Sequence, residues 1–347
     1  GGQGAAAVRR RVDPLFMRQL VAVAAMVVAA VPLAIFCGRG RRPYRSCRRW
    51  LGRLLRASPL PPDRALLKRI DTLVFDCDGV LYQNAHAIPG VPDMLARMRS
   101  SGKRLLFVTN AASSSRASLA AKLGRLGISG VTPDDCITSA FAAAMYVATM
   151  HPDVKTAYVV GGGGLLEELR SAGIEPVGES DVGGLEALIA SGGLNDKVDA
   201  VVVGMQTEGL CYARLAKAAA YARDRSRPFV GTNPDTNWPA GLTELVPAGG
   251  CNVRYVAYAA EREPDALVGK PSPDLARLVA SLHGLRPETT LMVGDRCNTD
   301  MAFGHAAGWS TLLVLTGCHT VEHARRAPAH ERPEYVTQSA ADLAACL

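Results

Sequence analysis

From Asp71 onward the chain alternates short apolar runs with helix-patterned stretches, and this alternation narrows the choice of fold more than any other feature. The apolar runs are Thr72–Phe75, Leu105–Val108, Ala157–Val160, Ala200–Val203, Pro228–Val230, Thr290–Val293 and Thr311–Leu315. Helical stretches intervene at Pro92–Ser100, Ser115–Leu126, Gly164–Ala172, Tyr212–Arg223 and Pro273–His283. Alternation of this kind predicts an α/β protein with a doubly wound parallel sheet. Such a sheet gathers its chemistry in the crevice beyond the carboxyl ends of the strands. Four strand ends carry the polar residues of interest.

The first is Asp76-Cys77-Asp78-Gly79-Val80-Leu81, directly after the run LVF. Two carboxylates two residues apart project to one side of an extended chain. The pair can hold Mg2+ while one carboxylate stays free to react, and Gly79 lets the backbone turn sharply. Taken alone, the motif equally describes a surface turn. The second is Thr109-Asn110, where a hydroxyl and an amide ahead of a helix start suit a phosphate oxygen, or simply a helix cap. The third is Gly269-Lys270-Pro271-Ser272-Pro273; Lys270 can neutralise a phosphate or a nucleophilic carboxylate. The fourth is Gly294-Asp295-Arg296-Cys297-Asn298-Thr299-Asp300. Asp295 is a further candidate metal ligand, and Asp300 is placed to orient Lys270 or a metal-bound water from behind. Acids at a helix start also have an ordinary capping role. All four strand ends in this order are a different matter from any one of them.

Charge separates the chain into two parts. The formal net charge is +7, but residues 1–60 hold 12 arginines, no lysine and one acid, Asp13. The rest holds 27 basic and 31 acidic residues, so the body is mildly acidic and a nucleic-acid partner is not expected. Within the basic part, residues 19–36 (QLVAVAAMVVAAVPLAIF) carry no charge and reach the lower limit for a membrane span. Arginines from Arg39 to Arg56 follow without an acid, which would keep the body cytoplasmic behind an anchor. The same composition suits an organelle-targeting presequence. A third reading is translation upstream of the true start, because the chain opens with Gly1. The run Ser58-Pro59-Leu60-Pro61-Pro62 reads as the linker to the body.

Nine scattered cysteines form no C-x-x-C pair and read as free thiols of a reducing compartment. Cys77 and Cys297 sit inside the motifs, where a small buried residue accounts for them. The run Gly161–Gly164 reads as a tight turn rather than a dinucleotide loop, since no G-x-x-x-x-G-K-[ST] pattern accompanies it.

The four elements together resemble the haloacid dehalogenase superfamily, from Asp71 to the C-terminus. The stretches DCDGVLY (76–82), VTNAASSSR (108–116), VVVGMQ (201–206), GTNPD (231–235), GGCNVRYV (249–256), GKPSP (269–273) and GDRCNTDMAFG (294–304) narrow the likeness. They point to the branch of p-nitrophenylphosphatases, phosphoglycolate phosphatases, pyridoxal phosphate phosphatases and NagD-like proteins. The resemblance implies a Rossmann-like core with an α/β cap inserted between Asn110 and Lys270. Its expected division is an N-terminal segment (1–60) outside the fold, core (65–154), cap (155–262) and core (263–347).

The resemblance further implies Mg2+-dependent hydrolysis of a small phosphomonoester. Asp76 is the expected nucleophile and Asp78 the general acid and base. Thr109, Asn110 and Lys270 are expected to bind the substrate, and Asp76, Asp78 and Asp295 the metal, with Asp300 behind them. A homodimer through the cap is also implied. Ala111 stands where the family usually has a second asparagine, and Met205-Gln206 replaces a usual aromatic–Asp pair. The loop Asp235-Thr236-Asn237-Trp238-Pro239 matches neither phosphoglycolate nor pyridoxal phosphate enzymes closely. Phosphoglycolate or an aryl phosphate stands slightly ahead as substrate. The alternative is a membrane-tethered interaction protein with weakened catalysis.

Overall fold

The computed structural model describes residues 59–238 and 245–347. The apolar stretch 19–36, the arginines at 39–56 and Pro239 lie outside the described residues. Among the described residues, no helix is long and apolar enough to cross a membrane.

After α1 (Arg64–Arg69), strand β1 (Thr72–Phe75) leads through a small hairpin, β2 (Tyr82–Gln83) and β3 (His86–Ala87), to α2 (Val91–Ser100). Next come β4 (Arg104–Thr109), α3 (Arg116–Arg125), β5 (Cys136–Thr138) and α4 (Ser139–Met150). A second series runs β6 (Thr156–Val160), α5 (Gly163–Ser171), β7 (Glu175–Val177), α6 (Leu185–Ala190), β8 (Ala200–Val203) and α7 (Tyr212–Arg223). It continues with β9 (Phe229–Gly231), the pair β10 (Asn237–Trp238) and β11 (Val246–Pro247), α8 (Gly249–Ala260) and β12 (Ala266–Leu267). The chain ends with α9 (Pro273–His283), β13 (Thr290–Gly294), α10 (Ala302–Ala306), β14 (Ser310–Val314), α11 (Val321–Arg326) and β15 (Tyr335–Thr337).

Two sheets result. The first has the order β15-β14-β13-β1-β4-β5 and is parallel throughout. The second, β12-β9-β8-β6-β7, is also parallel and is built wholly from the chain between β5 and β13. In the first sheet the chain winds outward both ways from β1 and β13. Their carboxyl ends therefore flank a topological switch point, where a doubly wound sheet opens its crevice.

Side chains alternate across each strand, so both faces of the first sheet need cover. Leu73 and Phe75 enter one core with α2, whereas Val74, Leu106 and Val108 enter another on the opposite face. That second core also holds Val159, Ala200, Val202 and Val230 of the second sheet. Helix α4 (SAFAAAMYVATM) fills it from between, with Ala140, Ala143, Ala144 and Val147 buried. A helix apolar on nearly every side shows no 3.6-residue periodicity to read, and burial against two sheets is why.

The seven strands expected from the sequence all form, with ends shifted by about a residue. Strands β5, β7, β12 and β15 were not anticipated. Each has two or three residues, too few to display a period.

Candidate active site

Strands β1 and β13 pair in register, with Phe75 beside Val293. Asp76 and Asp295 consequently leave adjacent strands side by side, and the Asp76 amide donates to Val293 O at 2.9 Å. Lys270 reaches them from the loop between β12 and α9, some 194 positions from Asp76 in the chain. Its ammonium is almost completely buried and donates to Asp76 Oδ1 (2.6 Å), Asp300 Oδ1 (2.7 Å) and Val108 O (3.0 Å). An ammonium has three donors, and all three are engaged. Burial alone would lower the Lys270 pKa. The charges of Asp300 and Asp76 outweigh it and hold the group above the ordinary lysine value.

Asp300 is committed on both oxygens. Oδ2 accepts from the amides of Asp295 and Arg296, each at 3.0 Å, while Oδ1 faces Lys270. Asp295 is wrapped by the loop after β14: Oδ2 accepts from the Cys318 amide at 2.7 Å, and its carbonyl accepts from the His319 amide at 3.0 Å. This close approach requires glycine. A Cβ at Gly317 would lie 2.0 Å from Asp295 Oδ2, and one at Gly79, whose φ is +76°, would lie 2.7 Å from the same atom.

Oxygens of Asp76, Asp295 and Asp300 lie within 4.8 Å of one another. Burial pushes the Asp76 carboxyl well above the usual range, with Lys270 pulling it back. Burial and then the charge of Asp300 push Asp295 up to about 6, against the pull of the Cys318 amide. Three carboxylates against one buried ammonium leave excess negative charge in a poorly solvated place. A divalent cation with a taste for carboxylate oxygen fits that donor set.

Asp78 opens to solvent at the mouth of the site. The protein around it still raises its carboxyl, while Lys122 and a hydrogen bond from Tyr82 act in the other direction. Its side chain is not among the three clustered carboxylates.

Thr109 and Asn110 end β4 where expected, but both are engaged within the protein. Thr109 Oγ1 accepts from the Ala111 amide at 3.1 Å. Asn110 is a hub: Oδ1 accepts from the Lys270 amide (2.8 Å), and Nδ2 donates to Lys270 O and to Asp235 Oδ2 (3.0 Å each). Its carbonyl accepts from Ser139 Oγ and Asn233 Nδ2, both at 2.8 Å. Asn110 thus joins β4, the end of β9 and the lysine loop. The contacts of Asn233 and Asp235 had no local signal, because they span more than 120 positions. Tyr82, Lys122 and Arg296, which is half-buried near Asp295 and Asp235, were likewise missed.

Gly161–Gly164 is a turn into α5. A Cβ at Gly164 would meet the Ser114–Ser115 backbone at 2.3 Å, so glycine here permits backbone-to-backbone packing.

Comparison with known proteins shows the family. Two family models match: haloacid dehalogenase-like hydrolase over residues 73–175, and HAD-hydrolase-like over residues 267–343. The chain is 41% identical over 291 residues to the glycerol-3-phosphate phosphatase of Gallus gallus, covering 81% of this chain and 93% of that one. It superposes on the p-nitrophenyl phosphatase from Archaeoglobus fulgidus with a TM-score of 0.69 and 29% identity, covering 82% of this chain and 100% of the other. A glycerol phosphate phosphatase from Mycobacterium tuberculosis in complex with magnesium gives 0.68 and 31%, covering 79% and 76%. The chain belongs to the haloacid dehalogenase-like hydrolases, in the branch of NagD and the p-nitrophenyl phosphatases. Within that branch it is a phosphatase.

Proposed function

We propose that this phosphatase hydrolyses a small phosphomonoester with Mg2+, through an aspartyl-phosphate on Asp76. The observation that carries the reading is the Lys270–Asp76 contact of 2.6 Å beside Asp295 at the sheet's switch point. Lys270 holds Asp76 Oδ1, so one carboxylate oxygen is fixed and the other remains to attack phosphorus as the leaving-group bond breaks. Asp78, at the mouth, gives a proton to the departing oxygen. It then takes one from the water that hydrolyses the intermediate. Asp300 keeps Lys270 in place. Mg2+ would be held by the carboxylates of Asp76 and Asp295 and the backbone carbonyl of Asp78, and when bound would neutralise charge on the phosphoryl group. Thr109 remains a candidate phosphate donor through its hydroxyl hydrogen. Lys270 and Asn110 are read as organising the pocket rather than gripping phosphate directly.

Residues 155–262, whose sheet runs on to Leu267, are taken as the cap; Asp235 belongs to its contribution over the site. Relatives named for glycerol 3-phosphate place that compound beside phosphoglycolate, aryl phosphates and pyridoxal phosphate as candidate substrates. The likeness to named phosphatases favours catalysis over the tethered, weakened alternative. Dimerisation through the cap and an anchor or presequence at residues 1–60 belong to the same proposal. Light scattering of the purified protein and cell fractionation of the full chain test these two points.

The direct test is phosphate release from these compounds with and without Mg2+. Metal-dependent release that stops with chelator and returns with Mg2+ is expected. Release unaffected by chelation would remove the metal from the proposal.

A further inference from the structure

The mechanism proposed above leaves one buried polar group beside Asp78 unused. Tyr82 is 1% exposed, and its hydroxyl donates to Asp78 Oδ2 at 3.1 Å. A buried phenol must place its proton on an acceptor, and here the acceptor is the carboxylate at the mouth of the site. The residue is held at its ring, its backbone and the turn beside it. Lys122 Nζ stands 3.6 Å from the ring centroid, where a cation is attracted to the π face. Tyr82 O accepts from the Gly79 amide at 2.8 Å, and its amide approaches Cys77 O at 3.3 Å. Next along the chain, the Gln83 side-chain amide donates to Thr316 O, and Thr316 Oγ1 donates to Gly79 O at 2.5 Å. The turn that carries Asp78 is therefore closed by the residue whose hydroxyl grips it.

We infer that Tyr82 is a positioning residue for Asp78, assigning the two oxygens of that carboxylate different tasks. Oδ2 is held by the phenol, and Oδ1 is left to carry the proton. In the first displacement the bond from Asp76 to phosphorus forms and the bond from phosphorus to the leaving oxygen breaks. The proton on Asp78 Oδ1 moves to that oxygen. Without the hydroxyl, either oxygen can carry the proton and the carboxyl can turn away from the leaving group.

The inference rests on Asp78 being the general acid, and the two claims can be tested apart. A proton is needed most by a poor, alkoxide leaving group and least by p-nitrophenolate. The ratio of kcat/KM for glycerol 3-phosphate to kcat/KM for p-nitrophenyl phosphate therefore reports how well the acid is aimed, through the first irreversible step. Tyr82→Phe keeps the ring under Lys122 and removes only the hydroxyl. It is expected to lower the ratio by up to about tenfold, the upper size of one lost hydrogen bond to a neutral carboxyl. Asp78→Asn, measured beside it, should lower the ratio at least as far. Equal loss on both substrates in Tyr82→Phe, or no loss, overturns the positioning role while leaving Asp78 as the acid if Asp78→Asn moves the ratio. A ratio unmoved by Asp78→Asn overturns the underlying assignment of Asp78.

Discussion

The Lys270 ammonium stands 2.6 Å from Asp76 Oδ1 and 2.7 Å from Asp300 Oδ1, buried between a strand-end aspartate and the acid that follows β13. This lysine acts as a counter-ion built into the core. Its third donor goes to Val108 O, which ties the charge pair to the neighbouring strand β4.

Replacing Lys270 with methionine would leave Asp76 and Asp300 facing each other with no cation between them. Removing one partner from a buried ionic group costs about 3–5 kcal/mol. Urea unfolding of Lys270→Met is expected to show a loss of that size, with phosphate release falling to background. A loss below about 1 kcal/mol would mean the pair contributes no more than a surface ion pair.

Asp76→Asn keeps the shape of the side chain and its place beside Lys270 but removes the attacking oxygen. Turnover should fall by at least about 1000-fold on every phosphomonoester. Retention of a tenth of the activity would show that another group attacks phosphorus.

Gly317→Ala would place a Cβ where Asp295 Oδ2 now lies, 2.0 Å away, so the carboxylate or the loop must shift. Calorimetric titration of Mg2+ should show affinity weakened about tenfold, in the range seen when a partner of a metal ligand is lost. Unchanged affinity would argue that Asp295 is not a ligand.

Asn110 offers a test of sign. Asn110→Ala strands the Lys270 amide and carbonyl and is expected to cost about 1–3 kcal/mol. Asn110→Asp keeps the acceptor for the Lys270 amide but turns a carboxylate toward Asp235, now bonded to Asn110 Nδ2 at 3.0 Å. If the hub reading holds, thermal unfolding places the aspartate variant below the alanine variant at neutral pH and reverses their order in acid. Equal melting temperatures throughout would show that the Asp235 contact is energetically silent.

Much of this protein could be read from local pattern. Strands β1, β4 and β13 are apolar runs that end at a polar residue, so Asp76, Thr109 and Asp295 were visible at their ends. Such features need only a few consecutive residues. The very short strands and the almost wholly apolar α4 escaped because a period needs either length or a polar face.

The sequence by itself determined the α/β class, the order of the strand ends and the acids and lysine they carry. Tertiary structure decided how the hydrogen-bonding capacity of those residues is allotted. It sets all three Lys270 donors on protein acceptors, makes Asn110 a hub rather than a free phosphate donor, and gives Asp78 a partner in Tyr82. The physical reason is that a donor's partner depends on which groups are buried beside it. Here those groups come from strands and loops as far as 194 positions apart, a relation that no run of neighbouring residues encodes.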